Sequence, residues 1–296
     1  MKSLIVACVL GGALAGAAHA NTPAERVLVT PGWLAQRLED PNVVVLHVAG
    51  LQADYDREHI PGARFLWPTW LAGSTPEGSL QVPEAKKIEQ TLEKLGISDQ
   101  SQIVLCHVLG DVATTARMYV TLDYAGLGER TYILNGGLEA WKAEGRPVTT
   151  AVSEYRKGSL SLRPRPEVIA DVDDVAATSR SAGVRLVDAR SARTYDSPGG
   201  SGVVRGGHIP GAINLPFTAV TDSVDRYLPP DSLKALFGAA GLEPGNALVA
   251  YCNTGRTASP IYVVAKLLGY DVRLYDGSFE EWSRRLDLPV EMKAAE

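Results

Sequence analysis

The residues best equipped for chemistry lie in one run, Tyr251-Cys252-Asn253-Thr254-Gly255-Arg256-Thr257-Ala258-Ser259. An apolar stretch of strand character, Ala247 to Tyr251, leads into it, and a helical pattern starts near Ala258. In a parallel α/β sheet, ligands bind outside the carboxyl ends of the strands. A cysteine there faces the start of the next helix, whose free N–H groups and dipole favour negative charge. Such surroundings depress a thiol pKa below its ordinary value of ~8.5 and supply thiolate at neutral pH. Gly255 lets the loop turn back so that successive amides converge on the sulfur. The expected chemistry is nucleophilic attack by the Cys252 thiolate.

The elements that must position this loop occur twice. His59-Ile60-Pro61-Gly62-Ala63 returns as His208-Ile209-Pro210-Gly211-Ala212, and Leu95-Gly96-Ile97 as Ala240-Gly241-Leu242. Ala125-Gly126-Leu127 returns as Leu268-Gly269-Tyr270, and the segment Asn135 to Trp141 as Asp276 to Trp282. Matched landmarks in one order, with the offset drifting as loops change length, identify a tandem duplication. In the first copy the pattern predicts strands at Val43 to Val48, Ile103 to His107 and Tyr132 to Leu134. It predicts helices at Pro83 to Leu95 and about Ala113 to Tyr124. The second copy repeats this with strands at Leu186 to Ala189, Leu248 to Tyr251 and Val272 to Tyr275, and helices at Ser232 to Ala240 and Ala258 to Leu268. Continuous apolar strands between helices predict an α/β fold, a mainly parallel sheet covered on both faces in each copy. The expected boundaries are residues 25–148 for the first domain, 149–166 for a linker holding Arg163-Pro164-Arg165-Pro166, and 167–290 for the second domain.

The copies differ where the chemistry lies. His107 takes the position of Cys252, and Cys106 matches Tyr251, one residue earlier, so strand alternation turns Cys106 to the other face. The segment from His107 to Tyr119 exceeds that from Cys252 to Tyr262 by two residues, which predicts a longer loop of different geometry in the first copy. Cys106 is therefore expected to be core packing, and the second copy alone to be reactive. His59 and His208, and Trp141 and Trp282, recur in both copies, which favours structural roles for all four.

Composition sets further bounds. A net charge of −5 over 296 residues gives no basic footprint, so nucleic acid is not an expected partner. Residues 1–20 read as an export signal: Lys2 is the positive start, Leu4 to Ala18 is apolar, and Ala18-His19-Ala20 fits a cleavage site before Asn21. The apolar run is shorter than the roughly 20 residues a spanning helix needs, so no membrane association is expected after cleavage, and the periplasm is the expected location. Cys106 and Cys252 lie at strand ends in separate copies, which argues against a disulfide between them. No histidine and cysteine spacing suggests a metal site, and no cofactor is implied.

The Cys252 loop, Gly207 to Ala212, the strand end Asp188-Ala189-Arg190 and the segment from Asp276 to Trp282 together resemble the rhodanese family. The mature chain resembles its two-domain sulfurtransferases, which pair an inactive N-terminal copy with an active C-terminal one. The resemblance implies tandem rhodanese-like domains and a persulfide on Cys252, surrounded by a loop of Asn253, Thr254, Gly255 and Thr257. It implies a small anionic sulfur donor, thiosulfate or a mercapto acid such as 3-mercaptopyruvate, and a thiophilic acceptor such as cyanide or a thiol. Arg256, inside the loop, suits the donor's charge. Arg193 resembles the family's substrate-binding arginine but lies one residue early relative to Tyr195. Asp188 and Arg190 are expected to brace the strand end. Phosphatases share a rhodanese-like fold, but their cysteine loop is one residue longer than the interval from Cys252 to Arg256. A sulfur relay without steady turnover is a further alternative. The basic Arg256 favours thiosulfate over mercaptopyruvate.

Overall fold

The computed structural model describes residues 27–75, 78–179, 183–199 and 203–292. In the first copy the elements run β1 (Leu28–Val29), α1 (Pro31–Ala35), β2 (Val43–Val48), α2 (Gln52–Arg57) and β3 (Arg64–Leu66). A hairpin follows, β4 (Gly73–Ser74) and β5 (Ser79–Gln81), then α3 (Ala85–Lys94), β6 (Gln102–His107), α4 (Val112–Tyr124), β7 (Thr131–Leu134) and α5 (Gly137–Ala143). The second copy comprises β8 (Ile169–Ala170), α6 (Val172–Thr178), β9 (Val184–Asp188), α7 (Ala192–Tyr195) and β10 (Ile213–Asn214). It continues through α8 (Pro230–Ala239), β11 (Ala247–Tyr251), α9 (Ser259–Leu268), β12 (Asp271–Tyr275) and α10 (Ser278–Arg284).

Both copies build the same sheet. The strand order is β1-β7-β6-β2-β3 in the first and β8-β12-β11-β9-β10 in the second, with every pairing parallel. Strands β2, β6 and β11, nearly continuous apolar runs, sit inside these sheets, where both faces are covered and such a run is needed. Repeated landmarks keep repeated contacts. The Trp141 and Trp282 indoles each donate to a proline carbonyl at 2.8 Å, on Pro147 and Pro289. His59 stacks on Tyr55 at 3.8 Å, and His208 on Tyr195 at 3.6 Å. Those histidines fasten turns, as their presence in both copies suggests.

The outer face of each sheet has its own apolar core, whereas the inner faces share one. Helices α4 and α9 pack together at the centre of that shared core. This explains why α4 shows little amphipathic periodicity: residues 112–123 are buried on all sides. At the same seam Asp123, fully buried, accepts from Tyr262 Oη at 2.7 Å and pairs with Lys266 at 2.9 Å and Arg165 at 2.8 Å. Between Thr149 and Arg165 the chain has no helix or extended strand among the described residues. It lies along the first domain, with Gly158 N donating to Glu93 O and Arg165 N to Tyr124 O.

Candidate active site

Cys252 follows β11, the central strand of the second sheet. Alternation places Tyr251 in the outer core and Cys252 on the inner side, where it is 1% exposed. The loop turns back at Gly255, whose φ of +79° is in the left-handed region that a side chain disfavours. The first turn of α10 docks on the loop: Phe279 N donates to Cys252 O and Glu280 N to Asn253 O, both at 2.9 Å. Cys252 N donates to Ser278 Oγ at 3.3 Å, and that hydroxyl donates to Tyr275 O at 2.8 Å. Ser278 makes these contacts from a φ of +52°, uncommon for a residue with a side chain. The first copy has Gly137 at this place, with φ +55°. Only the copy with the cysteine holds a hydroxyl in the strained position, and such strain tends to gather at functional sites.

A cavity of about 300 Å³ opens over the sulfur, lined by Cys252, Asn253, Thr254, Arg256, Thr257, Ser79 and Glu280. Four loop side chains named from the sequence therefore meet the thiol in one space, while Gly255 shapes the turn beneath. Arg256 is exposed, and among the described residues its guanidinium donates to Thr114 Oγ1 at 3.4 Å. Arg193 lies elsewhere. It is carried by α7 into a neighbouring cavity of about 280 Å³ with Arg190 and Thr194, and Asn253 is shared with the Cys252 cavity. The arginine that reaches the cysteine loop from this segment is Arg190. Its Nε and Nη2 grip the Asp188 carboxylate, with Nε at 2.9 and 3.0 Å from the two oxygens, and its Nη1 approaches Asn253 Oδ1 at 3.5 Å. The guanidinium also stacks over Phe279 at 4.2 Å. Burial by itself would lower the Arg190 pKa, but hydrogen bonding to Asp188 and its charge, with smaller help from Tyr251 and Cys252, raises it.

Several residues at the site gave no sequence signal, because they come from the first domain or meet it. Hairpin β4–β5 lies across the cleft. Ser79 donates to Glu280 through its amide at 3.0 Å and its hydroxyl at 3.3 Å, and Val82 N donates to Asp276 Oδ2 at 2.8 Å. Arg117, on α4 and 1% exposed, pairs with Asp276 and donates to Leu80 O at 2.5 Å. A fully buried arginine within an apolar helix was the one available hint.

The first copy cannot do the same chemistry. His107 occupies the nucleophile position, and burial lowers its pKa to about 4. Cys106 is in the outer core, and burial pushes its thiol up. Both cysteines are free. The loop after His107 is shorter than the sequence spacing suggests, with four residues before α4 against six between Cys252 and α9. With no thiol to encircle, the chain enters the helix at once, and the additional residues extend α4 to 13 residues against 10 in α9. Residues 221–227 of the second domain cover this position: Gly110 N donates to Asp225 Oδ2 at 2.5 Å and Tyr227 N to Asn135 Oδ1 at 2.8 Å. Each domain thus lays a loop across the other's strand end.

Fold and site define a duplicated α/β protein with one cysteine loop at the carboxyl end of a central strand. The chain belongs to the rhodanese family: the Rhodanese-like domain model matches residues 30–144 and 171–285. It is 32% identical over 280 residues to a protein of Thermus thermophilus named "Sulfur carrier protein TtuD", covering 89% of this chain and 96% of that one. It is 32% identical over 271 residues to a thiosulfate sulfurtransferase of Azotobacter vinelandii, covering 90% of this chain and 97% of the relative. Among solved structures, SseA of Escherichia coli, described as a 3-mercaptopyruvate sulfotransferase, superposes with a TM-score of 0.77 at 26% identity, over 85% of this chain and 98% of SseA.

Proposed function

We propose that this protein is a sulfurtransferase that carries a sulfane sulfur on Cys252, with thiosulfate as its preferred donor. One observation carries the reading: a single thiol on the floor of an open cavity, with the exposed cation of Arg256 on the wall. In the first step the Cys252 thiolate attacks the sulfane sulfur of thiosulfate. The new S–S bond forms as the old one breaks, and sulfite leaves with the bonding electrons. The enzyme then holds Cys–S–S⁻. In the second step the acceptor attacks the terminal sulfur, and Cys252 leaves as thiolate, giving thiocyanate when the acceptor is cyanide. This is covalent catalysis in two displacements with ping-pong kinetics. A thiol that is 1% exposed is reached by one slim atom projecting from an anion, whereas a phosphate group is bulkier at its reacting centre.

Incubation with thiosulfate should add the mass of one sulfur atom to the intact protein. Cys252→Ser should abolish both that addition and turnover, and Cys106→Ser should preserve both. Sulfur on Cys106 would overturn the assignment. Side-by-side rates with thiosulfate and 3-mercaptopyruvate decide the donor, and faster turnover of the mercapto acid would replace thiosulfate in this reading. The likeness to a named sulfur carrier supports a second reading, relay to a protein acceptor; a stable persulfide without steady turnover of small acceptors would favour it. The site of action is taken as the periplasm, after removal of residues 1–20, which lie outside the described residues. Terminal sequencing of the protein from a Gram-negative host should read Asn21, and an intact Met1 would refute export.

A further inference from the structure

Arg117 stands apart from every other cation in the second domain's site, because the catalytically inert domain supplies it. It is 1% exposed, on the helix that packs against α9. Its Nη2 serves both Leu80 O and Asp276 Oδ1. Nε and Nη1, both buried, have no hydrogen-bond partner among the described residues. Nη1 points at the cysteine loop, 3.1 Å from where a side chain on Gly255 would begin. A guanidinium with idle N–H groups in a buried place costs free energy unless something offsets it. Here the adjacent feature is a loop whose function requires negative charge at its centre.

We propose that Arg117 is a positioning residue: it fixes the Gly255 turn from below and makes the anionic form of Cys252 depend on the first domain. This rests on the sulfur-carrying role given to Cys252 above. Its effect passes through the loop, so Arg117 itself touches neither donor nor acceptor. The other charges facing the loop have partners or lie in solvent. Arg190, behind Asn253, is engaged by Asp188 and also places its charge near Cys252, a contribution unchanged in the variants tested below. Glu280, from α10, is engaged by Ser79 and Arg284, and Glu281 on the same helix packs against Gly277. Arg256 projects into the cavity, and Asp111 of the first domain acts on it across the cleft. Tyr251 turns its ring to the outer core and its hydroxyl to Ile209 N. Arg117 and Asp276 remain as a facing pair of opposite sign, which makes the proposal testable by sign.

The test is the pH profile of Cys252 alkylation by iodoacetamide, an uncharged reagent, read by peptide mass spectrometry on the full chain. Arg117→Met removes the cation, and its profile should move to higher pH by about half a unit, less than the 1–3 units of a directly adjacent charge. Asp276→Asn removes the anion but keeps the shape, and its profile should move to lower pH. Arg117→Lys keeps the charge and should stay within a few tenths of wild type, although it loses the fork. A mere bolt between domains would lower the unfolding midpoint in Arg117→Met and Asp276→Asn and leave both profiles unmoved, or shift them the same way. Either result overturns the proposal. If Arg117→Met does not fold, Asp276→Asn alone decides, since an unmoved or upward profile sinks the idea. Alkylation requires no sulfur donor, so failure of the persulfide reading would appear separately, as absence of sulfur loading with the shifts intact.

Discussion

Arg256→Ala isolates what the loop cation contributes to donor recognition. In the free protein the side chain is exposed and has one long hydrogen bond, to Thr114 Oγ1 at 3.4 Å. Its removal should therefore barely affect folding, since surface substitutions without special partners fall within about 0.5 kcal/mol. Loading is different, because the donor brings its own negative charge into a cavity of about 300 Å³ and shields the guanidinium from water. Hydrogen bonds to charged groups are worth about 1.5–3 kcal/mol. At about 1.36 kcal/mol per tenfold, the loss in kcat/KM for thiosulfate is about ten- to a hundredfold. Solvent on the open side favours the lower end. Single-turnover loading, followed by mass or by sulfite release, should slow by this factor, while discharge of a preloaded persulfide to cyanide should change much less. Arg256→Lys should recover part of the loss, since a point charge does not reproduce the planar fork. Arg193→Ala is the internal comparison. That side chain lines the adjacent cavity, so its loading defect should be the smaller of the two. Unchanged loading in Arg256→Ala, or a larger defect in Arg193→Ala, would refute the placement of the anion site.

Three further outcomes are expected. Ser278→Gly relieves a left-handed backbone and removes the hydroxyl that accepts from Cys252 N; stability should hold or rise while turnover falls severalfold, as measured by denaturant melts beside initial rates. Asp123→Asn leaves Lys266 and Arg165 without their shared buried carboxylate, and should cost about 3–5 kcal/mol of stability by the same melts. His107 is held neutral with a pKa lowered to about 4 by burial, against an ordinary value of 6.5. The unfolded chain therefore binds a proton that the native one refuses, so stability present above pH 6.5 is lost as pH falls toward 4, by up to about 3 kcal/mol. His107→Gln should flatten that part of the stability curve, and a curve that keeps its slope would count against His107 as the source.

What the sequence made legible was whatever depends on neighbours along the chain. Apolar runs gave the three inner strands of each sheet to within two residues, because a strand covered on both faces has no other option, whereas the short edge strands β1, β3, β8 and β10 carry too few residues to show such a run. The Cys252 loop was readable because nucleophile, turn glycine and arginine are consecutive. Arg190 and Arg193 were harder to rank: they differ by three positions and line one cavity, and only the folded chain shows that the earlier one reaches Asn253 while the later one does not line the cavity over Cys252. Ser79, Leu80 and Arg117 were out of reach for a different reason. Their roles depend on a contact between domains, and nothing local in Ser79-Leu80-Gln81 indicates which surface that hairpin will cover.

The duplication accounts for both the silence of one copy and its retention. With His107 at the nucleophile position and a shorter loop leading into α4, the first strand end lacks a nucleophile, yet its domain supplies parts of the working site. Ser79 lines the cavity over Cys252, Leu80 and Arg117 secure the wall beneath Gly255, and Asp123 joins α4 to α9. In return the second domain covers the vacant end with Asp225 on Gly110 N. Such reciprocity keeps the domain without a nucleophile indispensable: the contacts between the two copies build the shared core. On this argument the second domain expressed alone would lose the cavity wall and half of its inner apolar cover together. It should retain the Cys252 loop in sequence while losing it in geometry, and neither sulfur loading nor a cooperative unfolding transition should survive the separation.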